Sequence, residues 1–194
     1  MVLPAVRNAT YRDLVEAPEH LVAELIGGDL YLQPRPAKPH AEAASVLAML
    51  VGTPFRLGRG GPGGWTVQFE PELHLPSGEV LVPDLAGRRR SETPRIDTSG
   101  AAYTRMPQWV AEVVSPATAG RDRVKKLPRY AGAGVEHAWL VDPLAHTLEV
   151  FRRVEARWSL VSAHEGDEAV RAEPFDAVAL DVSELWVTAP EPSP

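Results

Sequence analysis

The chain has 194 residues, 44% of them hydrophobic, and a net charge of -6. That length points to a single domain with a sizeable core, spanning residues 1–188 with a tail at 189–194. The composition excludes disulfides and thiolate metal sites, since there is no cysteine. No apolar run approaches the roughly 18 residues that cross a bilayer, and the N-terminus has no signal-peptide pattern, so a cytoplasmic location and no membrane partner are expected. The acidic balance argues against a broad nucleic-acid-coating surface, but not against a nuclease, whose own site is acidic and draws positive charge from a metal.

Thr10 to Ala17 reads as a short helix with Thr10 at its N-cap. Leu21 to Gln33 alternates around Gly27-Gly28 and predicts a β-hairpin. Pro34 to Pro39 is a proline-broken connector, and His40 to Arg56 carries Ala44, Leu47, Ala48 and Val51 at helical spacing. Gly58 to Gly64 is too glycine-rich for an element. Trp65 to Leu75 alternates as one strand with Pro71 at a bulge or edge, and Pro76-Ser77-Gly78 turns it into Glu79–Val82. Gly87 to Ala102 is polar and reads as a long loop holding Arg88-Arg89-Arg90. Gln108 to Val114 reads as the central strand. Thr118 to Ala133 is a predicted helix, N-capped by Thr118, ended by Gly134 and bent or restarted at Pro128. Three further strands follow, at Glu136–Asp142, Thr147–Arg153 and Arg157–Ala163, before a frayed tail at Pro190–Pro194. This mixture predicts an α/β or α+β sandwich around a buried strand.

The chemistry gathers on that strand. Glu112 interrupts the apolar run Trp109-Val110-Ala111-Glu112-Val113-Val114, and Asp84 follows Val80-Leu81-Val82-Pro83. A buried carboxylate must be paired or bound to a cation. Of the 20 basic residues only Lys38, Lys125 and Lys126 are lysines, and two of these follow soon after Glu112. Metal-dependent phosphodiester cleavage needs hard oxygen ligands for Mg²⁺ or Mn²⁺, a metal-activated water and often a lysine to orient that water. Asp84 and Glu112 would supply carboxylates, and the backbone carbonyl of Val113 a third ligand. Asp122 and Lys126 share a helix face, but the same spacing also describes a solvated surface pair. Taken singly, Glu112 could face solvent from an edge strand, and Asp84 could cap a turn. Arg88, Arg89, Arg90, Arg121 and Arg123 form patches that could grip phosphates or simply be solvated. Trp65, Trp109, Trp139 and Trp158 read as core, and Trp186 as a candidate dimer contact. The five histidines other than His40 have no metal-ligand spacing, and neither a G-x-S-x-G nor a P-loop motif occurs.

Pro83-Asp84, the run Glu112-Val113-Val114-Ser115-Pro116, Asp122 with Lys126, Tyr130, Gly134-Val135 and Trp139-Leu140-Val141-Asp142-Pro143 together resemble the Uma-two type of restriction endonuclease, within the PD-(D/E)xK nuclease superfamily. The resemblance covers Glu24 to Phe151. It implies a restriction-endonuclease-like core, a mixed central sheet flanked by helices, with an N-terminal hairpin and additional C-terminal strands. It implies Asp84 and Glu112 as metal ligands. The superfamily lysine stands two residues after the acid, where this chain has Val114; similar members place it on the following helix, which maps to Lys126, with its neighbour Lys125 second. Glu24 enters as an accessory acid or a strand-pairing residue, Asp122 as a further accessory, and His40 as a helix-start or structural residue. The activity implied is Mg²⁺-dependent cleavage of DNA by a homodimer. The rival reading is a non-catalytic nucleic-acid- or partner-binding module on a nuclease fold; a third is hydrolysis of another phosphoester.

Overall fold

The computed structural model describes residues 4–34, 36–92 and 102–186. The predicted tail and residues 93–101 of the predicted loop lie outside the described residues. Helix α1 (Tyr11–Val15) is closed at its start by Asp13, whose carboxylate accepts from the Thr10 N–H and hydroxyl, both at 2.7 Å. Strands β1 (Val22–Ile26) and β2 (Asp29–Gln33) form the expected hairpin, with Gly27 and Gly28 both at positive φ. Helix α2 (Lys38–Val51) runs into a π turn at Gly52–Arg56, which holds Pro54.

The expected strand Trp65–Leu75 is two strands: β3 (Trp65–Phe69) and β4 (Glu72–His74). Pro71 lacks the N–H that a ladder needs, and the chain passes there from one sheet to another. After β5 (Val80–Leu81), β6 (Leu85–Arg89) occupies the start of the segment expected to be a loop. Arg88 and Arg89 are strand residues because Gly87 lets β6 lie tight against Trp65 and Trp109: a Cβ there would come within 3.0 Å of the Trp109 ring. The short β7 (Ala102–Tyr103) precedes β8 (Trp109–Val113), which is buried throughout.

The helix expected at Thr118–Ala133 comes in three pieces: α3 (Ala119–Arg121), a π turn at Asp122–Lys126, and α4 (Leu127–Ala133). Pro128 sits in the first turn of α4, where its missing N–H costs nothing, and the wider turn before it relieves its clash with the preceding carbonyls. Thr118 does not cap the segment through its side chain. Gly134 ends it at φ 97°, as expected. Strands β9 (His137–Asp142), β10 (Thr147–Val154) and β11 (Arg157–Glu165) follow, then β12 (Ala169–Val170), β13 (Leu180–Asp181) and a 3₁₀ turn at Val182–Leu185.

The strands build a five-stranded sheet, β2-β1-β5-β4-β7, a six-stranded sheet, β11-β10-β9-β8-β6-β3, and the small pair β12-β13. In the six-stranded sheet only β8 and β9 run parallel, joined by the helical crossover through α4. One face of this sheet packs Trp109, Ala111 and Val113 against α2 and the C-terminal segment. The other packs Val110, Val114 and Leu140 against α4 and the five-stranded sheet. Trp186 belongs to the first core rather than to an exposed contact: it is 7% exposed, stacks on His146 and donates to the Gly166 carbonyl. The architecture is the mixed α+β arrangement expected.

Candidate active site

Alternation along β8 decides where Glu112 goes. Trp109, Ala111 and Val113 face the α2 side, so Glu112 faces the layer between the two sheets. Leu85 pairs with Ala111 across the β6–β8 ladder, so Asp84, one residue earlier, comes opposite Glu112. The hairpin brings Glu24 to the same layer, and the π turn brings Asp122 and Lys126. Glu24, Lys126, Asp122 and Glu112 are all 3% exposed or less. Glu112 is therefore not an edge-strand acid, and Asp122 and Lys126 are not a surface pair.

Lys126 is the hub. Its ammonium meets Glu112 Oε1 at 2.8 Å, Glu24 Oε1 at 2.9 Å and the Val82 carbonyl at 2.9 Å. Three acceptors match the three protons of an ammonium. Tyr130, one helical turn beyond Lys126, donates its hydroxyl to Glu112 Oε1 at 2.7 Å. Glu24 also accepts from the Val82 N–H at 2.9 Å and the Gln33 amide at 3.0 Å. Asp84 accepts from the Val113 N–H at 2.7 Å through Oδ2, while its Oδ1 lies 2.8 Å from His40 Nε2. Arg121 reaches Glu24 at 3.6 Å and Asp122 at 3.7 Å, beyond hydrogen-bond range. Its Nε and Nη1, and Asp122 Oδ1, are buried with no hydrogen-bond partner among the described residues.

Charge balance sets the electrostatics. Burial raises the Glu112 carboxyl well above its ordinary range; Lys126 opposes this, and Asp122, Asp84 and Glu24 reinforce it. Asp122 is likewise raised by burial, against the pull of Lys126 and Arg121. Burial works to lower Lys126, but Glu112, Glu24, Asp122 and Asp84 outweigh it and hold the lysine charged. His40 is raised although burial opposes it, because Asp84 hydrogen-bonds it and supplies a negative charge. The Tyr130 phenol is raised by burial, then by the adjacent Glu112.

A cleft of about 290 Å³ opens onto this cluster, bordered by Asp84, Glu112, Val113, Asp122, Lys126 and His40. No three His, Asp or Glu side chains form a ready-made metal cage among the described residues. The other candidates from the sequence lie elsewhere. Lys125 turns to the Tyr31 hydroxyl and ring. Arg88 is buried, bonded to Gln68 and the Arg105 carbonyl over the Tyr103 ring. Arg89 pairs with Glu92 and Glu136, Arg90 with the Arg56 carbonyl, and Arg123 with Glu149. Sequence reasoning missed His40 as a partner of Asp84, and no spacing could have supplied it. It also missed Tyr130 as a partner of Glu112, although Tyr130 stands four residues after Lys126 and so shares its helix face.

A solved structure from Anabaena variabilis, described as a putative nuclease belonging to DUF820, matches with a TM-score of 0.73 at 21% identity, covering 92% of this chain and 97% of that one. At that identity the likeness shows the fold. No curated protein matches the chain. The Uma2 family model, described as "Putative restriction endonuclease", matches residues 9–183. With nearly the whole chain matched, site residues included, this protein belongs to the Uma2 family.

Proposed function

We propose that the protein is a metal-dependent endonuclease that hydrolyses phosphodiester bonds in DNA, with Asp84 and Glu112 holding Mg²⁺ or Mn²⁺. The carrying observation is the pair of acids brought to one cleft by adjacent strands, Asp84 just before β6 and Glu112 in β8, with Lys126 bonded to Glu112 behind them. The donor set fits a hard cation. Four carboxyl groups, Glu24, Asp84, Glu112 and Asp122, face two fixed cations, Lys126 and Arg121, and burial and mutual repulsion raise Glu112 and Asp122, so an added cation would be favoured there. Mg²⁺ is commonly held by one or two carboxylates with waters and substrate phosphate, so a complete protein cage is not required. The Val113 carbonyl, at the same cleft, is a third candidate ligand. The bound ion would supply Lewis acidity and a nucleophilic water.

The residues of the chain do the positioning. Lys126 and Tyr130 fix Glu112 by its Oε1, and the Val113 N–H fixes Asp84 by its Oδ2. Lys126 has all its protons engaged, so it orients the attacking water through Glu112, or directly once one contact is exchanged. Glu24 and Asp122 are accessory acids that keep Lys126 charged. Cutting both strands needs two such sites, so a cytoplasmic homodimer is the expected working form.

Calorimetry with Mg²⁺ and Mn²⁺ on wild type, Asp84→Ala and Glu112→Ala, alongside plasmid cleavage, tests this. Binding and cleavage lost in both variants while the fold persists is the expected result; unchanged cleavage in either variant would sink the assignment. The full engagement of Lys126 favours one rival, a non-catalytic binding module. It predicts DNA binding or dimerisation that survives Asp84→Ala, with no cleavage under any divalent ion.

A further inference from the structure

Two groups that line the cleft have donors to spare, one at the start of a helix and one a buried cation beside the carboxylates. The first is the start of α2. This helix has 14 residues, its N-cap is Ala37, no side chain caps it, and its first turn holds no acid. Pro36, Ala37 and His40 line the same cleft as Asp84 and Glu112. Lys38 and His40 open the helix with N–H groups that have no partner within it, Pro39 between them has none to give, and the aligned peptide dipoles place partial positive charge there. Lys38, exposed at the first helical position, adds a full charge.

The second group is Arg121. Its side chain is only 5% exposed, it lines the cleft, and its Nε and Nη1 have no hydrogen-bond partner among the described residues. Glu24 and Asp122 stand near enough to balance its charge but too far to take its protons. Leaving charged donors buried and unpaired is costly, and an acceptor entering from the cleft would relieve that cost once the guanidinium turns toward it. A tetrahedral phosphate meets both demands, since its oxygens accept from the planar guanidinium fork and from helix N-terminal N–H groups.

We propose that the α2 N-terminus and Arg121 form a phosphate subsite that anchors one phosphate of the nucleic acid beside the acidic cluster. The choice of a nucleic-acid phosphate rests on the nuclease reading above; the anion chemistry does not. Positive charge at the exposed α2 start also answers an electrostatic problem, because a polyanion must otherwise approach four carboxylates.

The test is a ³¹P NMR titration in EDTA, with inorganic phosphate and the dinucleotide TpT as separate probes. The proteins are wild type, Arg121→Lys and Ala37→Asp. The last variant places a carboxylate cap where the phosphate would sit, so it stabilises the helix while blocking the site. Wild type should bind at least one probe saturably. Ala37→Asp should weaken that binding at least about tenfold, as expected for a blocked anion site, with no fall in Tm. Arg121→Lys should weaken it less. Saturation by TpT assigns the subsite to a backbone diester; saturation by inorganic phosphate alone assigns it to a terminal phosphate. Failure of wild type to bind either probe, or wild-type binding in Ala37→Asp, overturns the proposal. Because no divalent ion is present, this outcome is independent of whether Asp84 and Glu112 bind metal.

Discussion

Strand β8 sends Trp109, Ala111 and Val113 into one side of the six-stranded sheet and Val110 and Glu112 into the other, and all five residues are buried. On the first side the Trp109 ring meets Phe175 at 4.9 Å and Trp139 at 5.2 Å, edge to face. Packing of that kind stabilises by area and by ring geometry. On the second side the same depth holds Glu112, Glu24 and Lys126. A buried ion cluster of this sort confers little or no stability that well-packed apolar side chains would not, because desolvation offsets the Coulomb gain. Equal burial thus serves two ends: one face of β8 holds the fold together, and the other holds a cluster of charges in place at some cost to stability.

The largest effects should be alike in size and different in origin. Phe175→Ala removes the ring shared by Phe55, Trp65, Trp109 and Trp139 and should cost about 3–5 kcal/mol in urea unfolding. Lys126→Ala leaves Glu24 and Glu112 buried without their cation and should also cost about 3–5 kcal/mol. A loss below about 1 kcal/mol for Lys126→Ala would break the comparison, since it would mean the acids are not held by that charge.

Glu112→Gln sharpens it with the opposite sign. Glu112 is raised in the folded state, so its contribution is fully present below its ordinary value of 4.5 and is lost as pH rises through the folded value. The stability of the variant relative to wild type should therefore rise from pH 4 to pH 8, while cleavage is lost. Tm profiles of the two proteins from pH 4 to 8 check this; parallel profiles would refute it.

A smaller effect is expected at His40. Its raised folded value means that the His40–Asp84 contact contributes fully below pH 6.5, and that the contribution is lost as pH rises through the folded value. His40→Gln should remove about 1–2 kcal/mol below pH 6.5 and progressively less above it, measured by urea unfolding at several pH values. An effect of constant size across pH would assign His40 to packing alone. The smallest effect belongs to Arg123→Ala. Its ion pair with Glu149 is partly solvated, so stability should stay within about 0.5 kcal/mol, and Mg²⁺ binding by calorimetry should not change.

Much of this was legible before any contact was known. The hairpin at Gly27-Gly28, the stop at Gly134 and the strands around Trp109 and Trp139 follow from glycine's freedom at positive φ and from apolar runs at strand length. The errors fall where a local rule had two outcomes. Pro71 could bulge a strand or end it, and the switch between sheets ended it. The polar run Arg88-Arg89-Arg90 looked like loop, yet Gly87 seats β6 against two tryptophans, and Arg88 goes inside, where Gln68 and the Arg105 carbonyl receive it.

For the candidate site, the chain order pointed to Asp84 and Glu112, because acids beside or within apolar runs are local signals, and the family resemblance selected Lys126 ahead of Lys125. Burial and period are written residue by residue. The partners that neutralise a buried charge are not, because they come from strand pairings across long stretches of chain. Only the folded sheets decide that Glu24 meets Lys126, that His40 reaches Asp84, and that Lys125, next door, turns to Tyr31 instead. A carboxylate placed in the interior dictates that a cation must be found; the tertiary structure selects which one, since only it brings distant backbone within 3 Å.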